Sequence, residues 1–450
     1  MKITIIGAGP GGYETALCAA AKGVEVVLVE ASKAGGTCLN EGCIPTKSLF
    51  RSAQVMDMVS DAGRFGVEPN GCILDLAKVM ARKDAVVEQL RSGVETLLKH
   101  KNITYVSGKA SFKDAHTVLV DTPDGEVKEY SSDKVIVATG STPAFLPVEG
   151  IELPGVLISS QMLELQAVPE RLCVIGGGVI GLELASIFNS FGAKVTVLEF
   201  CKEILPRFDA DISKRLRQAL GKRGIEIVTQ AQVTGISLAE GGSLSVSYLR
   251  KGASEEVTSE KVLMAVGRRP AVDSLNFADV GVAFTPKGVI VNEFMQTTNP
   301  DIYAVGDITG GMMLAHAATF QGRKALGHIL GEKDGIDLSV VPAAVFTTPQ
   351  AAMVGKTEED CKAEGIDFTV LKSFYRANGK AVSMECTDGL CKVIAEKATG
   401  RILGCHIFGE EAPDLVHEAM VLINAEVTLD RFSDFIHAHP TLSEILQSVR

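Results

Sequence analysis

No apolar run in this chain reaches the roughly 18 residues a helix needs to cross a bilayer, so a membrane-spanning helix is not expected. Basic residues are not in excess either. There are 44 Lys and Arg against 55 Asp and Glu, for a formal net charge of −11. A surface that neutralises phosphates needs the opposite sign, which argues against nucleic acid as a partner. A leader segment is not expected either. Met1-Lys2 passes directly into the strand-like Ile3-Thr4-Ile5-Ile6, without a separate apolar region, a cleavage site or an organelle-targeting stretch. The expectation is a cytoplasmic protein. The chain has 450 residues, 46% hydrophobic and 22% charged, which suggests about three globular domains with ample core.

The ten cysteines do not form a disulfide framework. Cys18, Cys173, Cys391 and Cys405 sit in apolar stretches and read as small buried hydrophobes. Cys72, Cys201, Cys361 and Cys386 are grouped with them as structural. Cys38 and Cys43 differ. They lie five positions apart in Gly35-Gly36-Thr37-Cys38-Leu39-Asn40-Glu41-Gly42-Cys43-Ile44-Pro45-Thr46-Lys47. Zinc normally takes four ligands, and no second Cys or Cys/His pair is nearby, so redox chemistry is the better reading. In a regular helix, residues five apart have Cα atoms about 8–9 Å apart, and a disulfide needs about 4.4–6.8 Å. The backbone between the two must therefore leave helical geometry. Gly42 permits this, and Pro45 is expected to disfavour the helical state at Ile44.

An internal repeat supplies the architecture. Ile3-Thr4-Ile5-Ile6-Gly7-Ala8-Gly9-Pro10-Gly11-Gly12 leads into a small-residue helix, read as Thr15 to Lys22, and a strand from Val24 to Val29 that closes on Glu30. Leu172-Cys173-Val174-Ile175-Gly176-Gly177-Gly178-Val179-Ile180-Gly181 leads into a helix, read as Leu182 to Phe191, and a strand that closes on Glu199. Gly7 to Glu30 and Gly176 to Glu199 are both 23 positions. In such a unit the first glycine makes the turn, the second lets the backbone approach a pyrophosphate, and the third allows close helix–strand packing. The helix N-terminus holds the phosphates, and the closing acid takes a ribose hydroxyl. One such match is weak, whereas two with equal spacing are not. Glu199 would repel a 2′-phosphate, and Phe200-Cys201-Lys202 offers no arginine, so the second site reads as one for NAD. Two sites imply one flavin and one nicotinamide. The cysteine pair follows the first site, so that site should hold the flavin.

Lys134-Val135-Ile136-Val137-Ala138-Thr139-Gly140-Ser141 reads as a buried strand ending in a glycine turn. Val262-Leu263-Met264-Ala265-Val266-Gly267-Arg268-Arg269-Pro270 repeats that form. Ile302-Tyr303-Ala304-Val305-Gly306-Asp307 ends in Gly-Asp, where Asp307 either caps the next helix or serves a ligand. From Val340 onward strands and helices alternate without a nucleotide fingerprint, which marks a third domain. Near its end stands His437-Ala438-His439-Pro440-Thr441-Leu442-Ser443-Glu444. Thr441 to Glu444 matches a capping box, so Glu444 either caps a helix or orients His439 as an acid/base for thiol chemistry.

Taken together, these motifs resemble the flavin-dependent pyridine nucleotide–disulfide oxidoreductases, from Met1 to nearly Arg450. Within the family the likeness is to members that oxidise dihydrolipoyl groups. It implies an α/β fold with two interleaved Rossmann-like dinucleotide-binding domains and a C-terminal α+β dimerisation domain. The expected segments are 1–145 and 266–336 for FAD, 146–265 for NAD, and 337–450 for the interface. Cys43 would be the thiol nearest the flavin, Cys38 the exchange thiol, Lys47 a residue beside the flavin paired with Glu183, and His439 the acid/base oriented by Glu444. FAD contacts would come from Gly7, Gly9, Gly12, Glu30, Thr37, Lys47, Ala110, Thr139, Gly140, Asp307, Met313, Leu314, Ala315 and His316, with Asp307 binding the flavin's ribityl–phosphate arm and Ala315 close by. NAD contacts would come from Gly176, Gly178, Val179, Ile180, Gly181, Glu199, Val233 and Gly267. No metal is implied. The implied partners are dihydrolipoamide or a protein-bound lipoyl group, a second copy of the chain, and a 2-oxoacid dehydrogenase or glycine cleavage complex. Thr46 stands where the family more usually has serine, and Gln350 where it commonly has glutamate. Glu199 and a C-terminus without cysteine separate the chain from NADPH-dependent glutathione-type, mercuric and large thioredoxin reductases. An NAD(P)H-dependent reductase of another small disulfide, or a nucleotide-binding sensor without turnover, is the alternative.

Overall fold

The computed structural model describes residues Met1–Val449, leaving Arg450 outside the described residues. The chain forms two compact units. No helix among the described residues is long and apolar enough to cross a membrane.

The first unit combines Met1–Ser48, Ala77–Ala144 and Gly267–Leu338. Its centre is a five-stranded parallel sheet in the order Ile302–Ala304, Lys134–Val137, Lys2–Ile6, Glu25–Glu30, Ile103–Ser107. The register sets Ile3 against Val26 on one side and against Lys134 on the other. These strands are nearly continuous apolar runs because both sheet faces are covered. One face packs Ile3, Ile5 and Ile136 against helical residues such as Ala16, Val87, Val94 and Ala325. The other packs Ile6, Val27 and Val137 against Phe112, Val118 and Val120 of a three-stranded antiparallel sheet.

The first helix runs from Pro10 to Ala21, five residues earlier than the sequence suggested. Pro10 stands at the first helical position, where its fixed φ is favourable and its missing N–H costs nothing. The glycines that lower intrinsic propensity are required there by packing. A Cβ on Gly12 would sit 1.8 Å from the Gly7 carbonyl oxygen.

The second unit comprises Leu49–Leu76, Phe145–Val266 and the chain from Ser339 onward. Its parallel sheet runs Glu226–Thr229, Lys194–Glu199, Arg171–Ile175, Lys261–Met264, Val156–Leu157, with Leu172 opposite Val195 as Ile3 is opposite Val26. The helix after its fingerprint is Val179–Ser190, again starting earlier than read, directly behind Gly178. A separate five-stranded antiparallel sheet, Ala343–Val345, Ala351–Gly355, Ile402–Phe408, Leu390–Glu396, Phe368–Phe374, carries helix Ala412–Asn424 on its core side. Within this unit Lys392, 2% exposed, holds Asp209 at 2.8 Å and Asp211 at 3.0 Å and also pairs with Glu358. Asp209 in turn caps helix Ala210–Lys222.

Two strands end sooner than the sequence suggested. The runs from Lys134 and Val262 stop at Val137 and Met264. The chain then turns, with φ +73° at Gly140 and +117° at Gly267. Ser141–Pro143 and Arg268–Pro270 pair instead as a separate antiparallel ribbon.

Candidate active site

The two fingerprint loops have nearly the same conformation. Gly7 and Gly176 have φ of +102° and +111°, and a Cβ on either would meet a carbonyl oxygen, that of Ala138 or Ala265, within 2.4 Å. Only glycine fits both conditions. Gly12 and Gly181 close the turn against the first glycine of each loop. The middle glycines behave differently. A Cβ on Gly9 would come no closer than 3.9 Å to anything, and one on Gly178 would meet nothing within 4 Å. That open cradle, at the N-terminus of a 12-residue helix in each case, suits a pyrophosphate. Val179 and Ile180 flank the second cradle as half-buried apolar side chains.

Each closing acid also holds its own loop. Glu30 accepts from the N–H groups of Ala8 at 2.6 Å and Ser32 at 2.8 Å. Glu199 accepts from Gly177 and Cys201, both at 2.6 Å. Glu30 remains partly exposed and Glu199 is 7% exposed.

The first site is more elaborate. Helix Ala315–Ile329 lies beside helix Pro10–Ala21 in parallel sense. A Cβ on Gly11 would lie 3.2 Å from Ala318 Cβ, and one on Gly322 would lie 1.9 Å from Thr15 Oγ1. Two helix N-termini are thereby brought to one end of the sheet, and Leu314 and Ala315 stand at the second of them. Met313 and His316 flank that terminus. Thr139, beside the Gly7 turn, has a buried Oγ1 with no hydrogen-bond partner among the described residues. An orphaned hydroxyl and an unfilled glycine cradle in one loop cluster fit a bound dinucleotide.

Asp307 opens a short 3₁₀ turn, Gly306–Thr309, and its side chain caps no helix. Its Oδ2 accepts from the Ser141 hydroxyl at 2.5 Å. Ala110 and Val233, both expected as cofactor contacts, direct their side chains into hydrophobic cores. Any contact from them falls to the main chain. Gly267 is exposed.

The cysteine segment is joined to the first loop. Gly35 N–H donates to the Ala8 carbonyl at 2.8 Å, and a Cβ on Gly36 would stand 2.6 Å from Gly9 Cα. A six-residue helix, Gly36–Glu41, ends at Gly42, and a second, Cys43–Asp61, starts directly after it. At Gly42 φ is −139° and ψ −105°. This break brings the Cys38 and Cys43 Cα atoms to 4.7 Å, and the two sulfurs are bonded. The departure from helix lies at Gly42 alone. Ile44, expected to be non-helical, is helical. Pro45 sits in the first turn of the new helix, where no N–H partner exists to be lost, so its effect on the preceding residue is overcome. Cys43 thus stands at the N-terminus of a 19-residue helix, a position that stabilises a thiolate. Thr37 is exposed beside the pair. Lys47 follows Cys43 by one turn on the same helix face. Glu183, in the second unit, is 3% exposed and accepts from the Phe346 N–H at 3.0 Å.

At the far end of the chain, His439 Nδ1 lies 2.9 Å from Glu444 Oε1, and Glu444 Oε2 accepts from Thr441 N–H at 2.8 Å. Half of the capping box is present. The Thr441 hydroxyl goes to the Ala438 carbonyl, and the short helix Glu444–Gln447 has Ser443 as its N-cap. Glu444 therefore orders the turn and holds the imidazole together. The Thr441 N–H and the His439 ring keep its carboxyl below the usual carboxylate range. With Nδ1–H donating to the carboxylate, Nε2 is the free base. The His439 side chain is 76% exposed.

Residues 1–322 match the pyridine nucleotide-disulphide oxidoreductase family, and residues 341–450 match its dimerisation domain. The chain belongs to this family. It is 39% identical to the dihydrolipoyl dehydrogenase of Bacillus subtilis (strain 168), over 99% of this chain and 97% of that one. Among solved structures it is similar to LpdA from Mycobacterium tuberculosis, with a TM-score of 0.91 and 27% identity over 99% of this chain and 98% of the other. The HOCl-induced flavoprotein disulfide reductase RclA from Escherichia coli is similar at a TM-score of 0.87 and 32% identity, over 100% and 99%. Membership agrees with the paired fingerprints, and the dimerisation domain supports a homodimer. The chain is an FAD-dependent disulfide oxidoreductase. Sequence reasoning overlooked Ser141 and Arg268, which join Asp307 in this site. The one signal they left was the recurrence of a glycine turn after each of two buried strands.

Proposed function

We propose that the protein oxidises dihydrolipoyl groups as a homodimer and passes the electrons through the Cys38–Cys43 pair and FAD to NAD⁺. The observation that carries this is the bonded cysteine pair, fixed by its backbone to the first dinucleotide loop. Bound FAD supplies two-electron transfer between the reduced pair and the nicotinamide. The residues of this chain do the rest. His439 Nε2 takes a proton from one substrate thiol, and Glu444 stabilises the imidazolium that results. The substrate thiolate attacks Cys38 Sγ. The Cys38–Cys43 bond breaks, and Cys43 leaves as a thiolate at its helix N-terminus. The second substrate thiol then displaces Cys38. The lipoyl group departs oxidised by two electrons, and the cysteine pair is left reduced by two.

In this proposal His439 serves the cysteine pair of the other subunit. Lys47 and Glu183 assist at the flavin, and the residues of the two glycine cradles hold FAD and NAD. The partner is a lipoyl-bearing 2-oxoacid dehydrogenase or glycine cleavage complex in the cytoplasm. Likeness to the flavoprotein disulfide reductase RclA favours a second reading, reduction of another small disulfide. NAD⁺ reduction with dihydrolipoamide, compared with NADPH oxidation by glutathione disulfide on the same purified protein, separates the two. Turnover only in the second assay would overturn the proposal.

A further inference from the structure

Chain leaving the first unit pairs with chain returning to it. Ser141–Pro143 runs antiparallel to Arg268–Pro270, with Pro270 opposite Ser141 and Arg268 opposite Pro143. Across this ribbon Arg268 Nε donates to the Ser141 hydroxyl at 2.7 Å, and a terminal guanidinium nitrogen donates to the Ser141 carbonyl at 2.7 Å. The Ser141 hydroxyl lies 2.5 Å from Asp307 Oδ2. A guanidinium can only donate, so the hydroxyl must accept from Arg268 and give its own proton to Asp307. The direction of the relay is thereby set by chemistry. Asp307 Oδ1 accepts no hydrogen bond from the described residues. Burial weakens the charged form of Arg268, and the negative charges of Asp307 and Glu41 favour it.

We propose that Arg268 is a positioning residue for the cofactor, acting through Ser141 to hold Asp307 in one orientation with a carboxylate oxygen presented to the hydroxyls of the flavin's ribityl arm. The inference rests on the reading that Asp307 binds that arm. It also answers an electrostatic difficulty. An unbalanced carboxylate close to a pyrophosphate site would oppose binding, and a cation one hydroxyl away offsets much of that repulsion. The ribbon makes the balance conditional on correct pairing of the outgoing and returning strands, because Arg268 is supplied by one and Ser141 by the other.

The test is the FAD affinity of the full-length chain, measured by flavin fluorescence on equilibrium dilution of the holoprotein. Ser141→Ala and Arg268→Met should each weaken FAD at least tenfold. Ser141→Thr keeps the hydroxyl and should stay within about threefold of the parent. A relay acts as one unit, so the double variant should bind about as poorly as the weaker single one. With Asp307→Asn as background, Arg268→Met should add little. If Asp307→Asn binds FAD like the parent, the reading of Asp307 as a cofactor residue fails. If Asp307→Asn weakens binding but Ser141→Ala and Arg268→Met do not, that reading stands and the positioning role is overturned. Equal losses in Ser141→Ala and Ser141→Thr, or losses that multiply in the double variant, would overturn the relay as well. Should Arg268→Met fail to fold, the alanine–threonine comparison at Ser141 still decides.

Discussion

Glu199→Gln separates two tasks that one side chain performs. The carboxylate is 7% exposed and takes a backbone N–H on each oxygen, from Gly177 and Cys201, at 2.6 Å. It is also the negative charge where a second dinucleotide's ribose would lie. A 2′-phosphate with two charges about 5 Å from a carboxylate is opposed by roughly 1.7 kcal/mol even at the dielectric of water, and by more in a lower one. Since about 1.4 kcal/mol is tenfold, the parent should favour NAD⁺ over NADP⁺ by more than tenfold in kcat/KM. Glutamine keeps the shape and removes the charge, so the ratio should shift toward NADP⁺ by at least tenfold. Its amide nitrogen must then face one of the two N–H donors. Loss of a charge-assisted hydrogen bond costs about 1.5–3 kcal/mol. The loop should loosen, lowering the melting temperature and reducing kcat/KM with NAD⁺ as well. Steady-state kinetics with both coenzymes and a calorimetric melt read the two effects separately. An unchanged coenzyme ratio would refute the charge argument, and an unchanged melt would refute the clamp. Glu30→Gln is the matched control. It should lower FAD retention and leave the coenzyme ratio alone.

Cys38→Ser and Cys43→Ser should each abolish dihydrolipoamide turnover while the flavin spectrum persists, and full activity in either would sink the redox assignment. Chains carrying Cys38→Ser and chains carrying His439→Gln, co-expressed and isolated as mixed dimers, should regain activity in one of two sites. Mixed dimers no more active than their parents would mean that each chain completes its own site. Lys392→Met leaves Asp209, 1% exposed at its side chain, as an unpaired buried charge and should cost about 3–5 kcal/mol, with much of the loss recovered in Lys392→Met/Asp209→Asn; equal melts for the single variant and the parent would contradict this. Burial raises the Asp211 pKa, but hydrogen bonds from Lys372 and Lys392 outweigh it and bring it to about 2. Its contribution, about 1 kcal/mol once its partial exposure is discounted, is therefore present above pH 3.8 and lost as pH falls toward 2. Acid titration of unfolding should show that limb reduced in Lys392→Met, and an identical limb in both proteins would count against the pairing.

Chain order alone determined the two fingerprints, because a turn with φ near +100° against a carbonyl oxygen admits only glycine and leaves that residue visible at fixed spacing. The need for a break between Cys38 and Cys43 was legible for a similar reason, since covalent geometry forbids a disulfide across five regular helical residues. Helix starts at Pro10 and Val179 were not legible. Packing of glycine against glycine overrode the low helix propensity of the first turn. The helical state of Ile44 was misjudged because Pro45 falls where a helix has no N–H bond to lose. Other features were decided only in three dimensions. Arg268 reaches Ser141 across 127 positions, Ser141 reaches Asp307 across 166, and Lys392 reaches Asp209 across 183. A local pattern can specify a turn or a helix N-terminus, because those forces act within a few residues. A charge that must be balanced in a buried place takes its partner from whatever strand the fold sets beside it.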